Sequence, residues 1–375
     1  MLSSVIDKVT PPDAEDPTTE NYEDNIPEQD YSKDMEENIV RIPVGETLRI
    51  LQLTDMQIID SSQCRNPDRL SSAEMVNWAP QNVEKNCFKQ IKDLITQAQP
   101  HLIIVTGDMV YGEFDDSGRS MELFCDFMDS LGVPWAPVYG NHDNETRRGV
   151  EWQNARLEAS PLCLFKKGSV TGNGNYSVLL TREGRPFRSL YMMDSGGCMG
   201  SPSESARRGP GFAADQYDWL YTTAEAVNAA AGEILPSFLG FHIPTIQFHQ
   251  AAVRKGYQTA DEQEKYVIGV TSPAKDGDFG CKREPISCIL TPDGFIEKLK
   301  ELGVDGVFVG HCHANNTSVL WKGIRWTYGL KTGQYDYHTP GQLGGTLITL
   351  WDEDFSVVHV PALTLMTKAP NPPRH

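Results

Sequence analysis

The chain has 375 residues, of which 39% are hydrophobic and 22% charged, enough apolar material for a large core. No stretch approaches the roughly 20 consecutive apolar residues of a membrane span, and neither heptads nor collagen triplets recur, so those classes are excluded. The net charge of −18 is concentrated at the N-terminus, where residues 1–40 hold 12 acidic and 2 basic side chains. A balance this acidic excludes a nucleic-acid groove that works by phosphate neutralisation. It leaves room for a small phosphate substrate whose charge is met by metal ions.

Residues 1–38 are rich in Pro, Asp, Glu, Asn and Thr and lack apolar periodicity, which predicts an acidic, disordered or surface-draped arm. The first 30 residues hold no apolar signal core, which sets the expectation of a cytoplasmic protein. From 39 to 365 the pattern predicts one catalytic domain, followed by a polar tail over 366–375. Leu48–Thr54 is a β-forming apolar run that ends at Asp55. Val83, Cys87, Ile91, Leu94, Ile95 and Ala98 recur at helical spacing and predict a helix over 82–98. His101–Thr106 is a strand that ends in Gly107-Asp108. A helix over 120–131 follows, then the strand Trp135–Tyr139, ending in Gly140-Asn141-His142-Asp143.

The second half repeats the alternation. Strands are predicted at 175–181 and 189–193, a helix at 213–231, and a strand at 238–241 running into His242. Residues 254–288 lack periodicity and read as a loop over the site. A helix over 292–302 leads to the strand Val304–Val309, which ends in Gly310-His311-Cys312-His313, and further strands are predicted at 324–328, 346–351 and 357–360. Strands alternating with helices indicate βα units and an α/β fold. The eight cysteines include no CxxC pair and are expected to be reduced and buried, with a Cys281–Cys288 bridge as the alternative for an exported protein.

Five predicted strands thus end in Asp55, Asp108, Asn141-His142, His242 and His311/His313. A lone Asp in such a place is usually a turn former or a cap. Five strand ends are another matter, because sites of α/β sheets form where the loops after the carboxyl ends converge. Aspartate, asparagine and imidazole are ligands suited to Mn, Fe or Zn, and this set suffices for two ions. Imidazole is also the natural proton donor near neutral pH.

Thr54-Asp55-Met56-Gln57, Gly107-Asp108, Gly140-Asn141-His142-Asp143, His242 and Gly310-His311-Cys312-His313 together resemble the five-block signature of calcineurin-like metallophosphoesterases. Gly132–Asn144 and Asp215–Leu220 further resemble the small single-domain branch of purple acid phosphatases. The resemblance implies a four-layer α/β/β/α sandwich of two mixed sheets flanked by helices, around two divalent or trivalent metal ions (Mn, Fe or Zn). It implies that Asp55 and His313 bind the first metal, that Asp108 bridges, and that Asn141, His242 and His311 bind the second. His142, oriented by Asp143, then assists the leaving group. The sequence departs from the commonest pattern at Gln57, where most members have histidine. Tyr111, three residues after Asp108, matches the tyrosinate of purple acid phosphatases, or packs as a strand-end aromatic. Gln57, Tyr111 or both complete the first metal's ligands.

Arg147 and Arg148 follow His142 and suit bidentate phosphate binding, or are solvated charges at a helix start. His338 lies in a late loop similar to the family's substrate-facing loop. The expected activity is hydrolysis of phosphate monoesters, by a metal-activated hydroxide, on small phosphorylated molecules or phosphoproteins. The alternatives are a phosphodiesterase or nucleotide diphosphatase, which glutamine at 57 favours, and a non-catalytic scaffold that retains the fold.

Overall fold

The apolar runs pair into two mixed sheets. The computed structural model describes residues 37–42, 47–59, 83–257, 271–272, 277–339, 341–351 and 354–362. In the first sheet β2 (Leu48–Leu53), β3 (Leu102–Thr106) and β4 (Trp135–Val138) run parallel. β12 (Gly344–Trp351) joins β2 antiparallel, and β13 (Asp354–Pro361) and β8 (Thr271–Ser272) extend that edge, giving the order β4-β3-β2-β12-β13-β8. The second sheet has seven strands: β1 (Glu37–Ile42), β5 (Tyr176–Arg182), β6 (Arg185–Met192), β7 (Ser237–Gly240), β9 (Val304–Val309), β10 (Ser318–Trp321) and β11 (Ile324–Tyr328). Their order is β1-β5-β6-β7-β9-β11-β10, with β6, β7, β9 and β11 mutually parallel.

Alternation along the strands sets the layers. Leu190, Met192, Phe238 and Phe308 share one buried cluster with Ile50, Ile348, Phe355 and Val357 of the six-stranded sheet. Their neighbours Tyr191, Leu239, Val307 and Val309 point the other way, into a second cluster with side chains of three helices. Those helices are α4 (Ala214–Ala231), α5 (Ile246–Arg254) and α6 (Phe295–Glu301), which contribute Leu220, Phe248 and Leu299. On the far side α1 (Val83–Ala98) lies against β2, β12 and β13, while α2 (Arg119–Ser130) packs on α3 (Val150–Ala159). The result is the expected sequence of layers: helix, sheet, sheet, helix.

The elements match the sequence reading to within three residues at most boundaries, with informative exceptions. β1 begins at Glu37, inside the stretch read as an arm, and pairs parallel with β5; residues 1–36 and the tail 366–375 lie outside the described residues. The stretch 254–288 is not uniformly loop. Its first residue ends α5, Thr271–Ser272 form β8, and Phe279 exchanges backbone hydrogen bonds with Ser318. Helix α3 escaped prediction because two of its four buried residues are the polar Gln153 and Asn154. Among the described residues Cys281 and Cys288 are both free thiols, so the alternative of a bridge between them falls.

One buried charge braces the seven-stranded sheet. Arg188 of β6 is fully buried, its guanidinium 4.2 Å from the Phe238 ring and bound bidentately to Asp305 of β9 at 2.6 and 3.1 Å. Removing one partner of such a pair strands a charge in the core. Asp305→Ala is therefore expected to lower the unfolding free energy by about 3–5 kcal/mol, read by denaturant titration; a loss below about 1 kcal/mol would show the pair to be incidental.

Candidate metal centre

Every strand named by its terminal Asp, Asn or His delivers that residue to one end of the sandwich. Asp55 follows β2, Asp108 follows β3, Asn141 and His142 follow β4, His242 follows β7, and His311 and His313 follow β9. The first three strands belong to one sheet and the last two to the other, so the site lies where two sheets meet at their carboxyl ends. The approach is close enough to demand glycine. A Cβ on Gly140 would lie 2.1 Å from Asp108 Oδ1, and one on Gly310 would lie 2.0 Å from Thr54 Oγ1. Asp55, Gln57, Asp108 and His311 all adopt positive φ, between 49° and 74°, a conformation that costs non-glycine residues about 1 kcal/mol or more each.

Two sets of donors converge. Asp55, Asp108 and His313, all buried, place one ligand atom each within 4.8 Å of one another. His313 Nε2 is 3.3 Å from Asp55 Oδ1, and its Nδ1 lies 2.9 Å from the Tyr337 carbonyl. An N–H donated to that carbonyl leaves the Nε2 lone pair for a cation. In the second set, Asn141 Oδ1 stands 3.1 Å from His242 Nε2 and 2.9 Å from His311 Nδ1. His242 is anchored in the same way, with Nδ1 2.8 Å from the Thr106 carbonyl and Nε2 3.4 Å from Asp108 Oδ2. Asp108 thus belongs to both sets. This chemistry of carboxylate, amide oxygen and anchored imidazoles fits a pair of first-row cations.

The electrostatics follow from that crowding in the metal-free protein. Burial would raise the Asp108 and Asp55 carboxyls, but neighbouring imidazoles outweigh it. His242 and His142 hold Asp108 well below the usual carboxylate range, and His313 brings Asp55 down to about 2. Burial would likewise lower His242, yet Asp108 lifts it to about 9. His311, partly buried beside His242, falls to about 3.

The remaining predicted residues divide. His142 lies beside the centre, its backbone N–H donating to Asp108 Oδ1 at 3.0 Å. Its orientation corrects the expectation about Asp143. His142 Nδ1 bonds Glu145 Oε2 at 3.0 Å, across a 3₁₀ turn at Asp143–Glu145. Asp143 is fully buried and accepts three backbone N–H groups instead, from Asp108 (2.9 Å), Val110 (3.0 Å) and Gly140 (2.6 Å). Tyr111 stacks on the His142 ring at 4.1 Å and packs against Phe114 and Tyr335, as the aromatic alternative expects.

Arg147 stands at the surface with its side chain 65% exposed, 3.6 Å from Asp116, and Arg148 covers the Trp152 ring. Those positions suit the solvated-charge reading. His338 is buried, with Nδ1 3.1 Å from the Asp336 carbonyl of its own loop; its neighbour Tyr337 stacks on His313 at 4.3 Å. Gln57 is buried between Asp108 and a residue that the sequence reading missed. Lys331, 2% exposed, donates to Gln57 Oε1 at 2.5 Å and to the Asp55 carbonyl at 2.9 Å. Burial draws the Lys331 ammonium below the ordinary lysine range, against the pull of Asp55, Asp336 and Asp108. Only its uncharged neighbours, Gly329-Leu330 and Thr332-Gly333, hint at a buried lysine.

Two outcomes are expected. Asp143→Asn turns an NH₂ group toward backbone N–H donors, and should lower the unfolding free energy of the metal-stripped protein by about 1–3 kcal/mol in denaturant. His142 is opposed by burial but raised by Asp108 and Glu145 to about 9, from an ordinary 6.5. A raised folded pKa contributes stability that is complete below 6.5 and lost as pH climbs through about 9. Glu145→Gln should therefore lower the His142 midpoint in an NMR titration of the metal-free protein, and cost stability below pH 6.5 but not above about 9. An unmoved midpoint would dismiss Glu145 as its partner.

Comparison with known proteins supplies the context. The family model of calcineurin-like phosphoesterases matches residues 48–315. "Probable inactive purple acid phosphatase 29" of Arabidopsis thaliana is 24% identical over 339 residues, 81% of this chain and 76% of that protein. "Probable inactive purple acid phosphatase 14" of the same plant is 27% identical over 337 residues, 81% of this chain and 74% of that one. Among solved structures, a dimetal phosphatase from Danio rerio aligns with a TM-score of 0.47 at 13% identity, over 84% of this chain and 99% of that one. With 48–315 matched, the chain belongs to the calcineurin-like phosphoesterase family.

Proposed function

We propose that this protein is a dinuclear-metal phosphoesterase that hydrolyses phosphate monoesters on small molecules or phosphoproteins. The observation that carries the reading is Asp108, whose buried carboxylate is shared by the Asp55/His313 set and by the Asn141/His242/His311 set. When bound, two cations supply Lewis acidity toward phosphoryl oxygens and acidify a water molecule.

The chain's own residues supply position and protons. Asp55, Asp108 and His313 would hold one cation, and Asn141, His242, His311 and Asp108 the other. Backbone hydrogen bonds to Thr106 and Tyr337 fix the His242 and His313 rings, so neither of these rings has to reorganise as a cation binds. His142 is held by Glu145 at Nδ1 and partly exposed, which leaves Nε2 to carry a proton to the departing oxygen. Tyr111, stacked on that ring, restricts its rotation.

A second reading, a metal-binding scaffold without turnover, is favoured by one observation: two similar plant proteins carry the word inactive in their names. Hydrolysis of para-nitrophenyl phosphate and of bis-para-nitrophenyl phosphate by one Mn-loaded preparation separates the readings. A monoester rate far above the diester rate is expected; the reverse would make the protein a diesterase, and no turnover of either would favour the scaffold. His142→Ala should lower kcat for the monoester by about 10²–10⁴-fold while bound Mn, measured by elemental analysis, is unchanged.

A further inference from the structure

Gln57 stands where a metal ligand is expected, but its amide is turned the wrong way for one. Lys331 Nζ donates to Gln57 Oε1 at 2.5 Å, as it does to the Asp55 carbonyl at 2.9 Å. The amide nitrogen then faces Asp108 Oδ2 at 3.2 Å, and an ionised carboxylate only accepts. Both ends of the amide are matched in this orientation alone. Turning it over would set N–H against Nζ and oxygen against carboxylate. Ligation of a cation requires the amide oxygen, which Lys331 holds, while the amide nitrogen takes part of the Asp108 oxygen that the two donor sets share.

Lys331 is built into the fold rather than draped over it. Its Nζ also donates to the Asp55 carbonyl, and its own carbonyl accepts the Gly344 N–H at 3.0 Å. On either side, Leu330 N–H reaches Thr346 Oγ1 at 3.1 Å, Thr332 N–H the Thr54 carbonyl at 2.8 Å, and Gly333 N–H the Asp55 carbonyl at 3.2 Å. In the opposite donor set the amide oxygen of Asn141 faces no lysine among the described residues but two imidazole nitrogens, His242 Nε2 and His311 Nδ1, each of which carries a lone pair when neutral.

We propose that Lys331 is a positioning residue that locks Gln57 with its amide nitrogen toward Asp108, making the Asp55/Asp108/His313 position the weaker of two unequal cation sites. The inference rests on the dinuclear reading above and adds the order of loading: the Asn141/His242/His311 position fills first, and the second cation enters only at higher concentration.

The test is titration of the metal-stripped full chain with Mn²⁺, with free Mn²⁺ followed by electron paramagnetic resonance. The wild type is expected to bind two ions with dissociation constants at least about tenfold apart. Lys331→Met frees the amide to turn its oxygen inward and should tighten the weaker step by about tenfold, the scale on which groups behind a ligand act. Gln57→Leu has no oxygen to offer and, since that oxygen is not a ligand, should weaken neither step by more than about threefold. In the double variant the gain from Lys331→Met should vanish, since it acts through Gln57. Should Lys331→Met fail to fold, Gln57→Leu decides alone: a weakening of about tenfold or more in either step would make Gln57 a ligand and overturn the proposal. Two equal steps in the wild type would overturn it too, while leaving the phosphoesterase reading intact. Uptake of no Mn²⁺ at all would remove both.

Discussion

The carboxylate of Asp143 is the point on which the site's geometry depends. It sits without solvent contact at the ends of β3 and β4 and accepts N–H groups from Asp108, Val110 and Gly140. Each of those amides belongs to a loop that leaves a strand, where the sheet ladder no longer supplies a partner. A single carboxyl group therefore satisfies three buried donors and fixes two loops against each other. Asp108 can then take positive φ and hold its own carboxylate between two donor sets. Burial and the neighbouring Asp108 charge draw the Asp143 carboxyl up to about 7, and the backbone N–H groups of Gly140 and Val110 oppose that rise by favouring its ionised form.

The same logic extends across the interface of the two sheets. The Thr106 carbonyl accepts both His242 Nδ1 and Thr54 Oγ1, so one oxygen at the end of β3 links a ring from the other sheet to the loop after β2. Thr54 donates to that carbonyl and lies 2.8 Å from Asp55 Oδ2. Such contacts need the backbones closer than a Cβ allows, which is why Gly140 and Gly310 stand opposite Asp108 and Thr54. The strained backbone at Asp55, Gln57, Asp108 and His311 is stabilised by this mutual bracing and not by anything local to those residues.

Much of this was legible in the sequence because apolar β-forming runs that stop at Asp, Asn or His carry two signals at once, the strand and its chemical end. What stayed hidden was hidden for physical reasons. β10 and β1 are short or at an edge, and their pairing depends on partners more than a hundred residues away in one case and on the neighbouring hairpin in the other. Asp143 follows His142 directly, and the family resemblance implied that it orients that ring. Yet neighbours in a tight turn point apart, and the residue three along, Glu145, shares the face of the 3₁₀ turn. Lys331 was out of reach, since a lysine between Leu330 and Thr332 reads as a solvated side chain until the segment is seen running along Thr54–Gln57.

That last case bears on how the departure at Gln57 is to be understood. Taken alone, glutamine at a position usually held by histidine looks like a weakened ligand. Taken with Lys331 it is one half of a matched pair. An imidazole offering a lone pair to a cation would turn its remaining N–H outward, toward a lysine nitrogen that also donates, and two donors would meet in a buried space with no acceptor between them. Glutamine resolves the conflict because it carries an acceptor and a donor 2.5 and 3.2 Å from groups of opposite demand. The two residues are more than 270 positions apart in the chain, so each is ordinary in its own sequence context. The constraint that joins them exists only where β2 and the segment after β11 lie side by side.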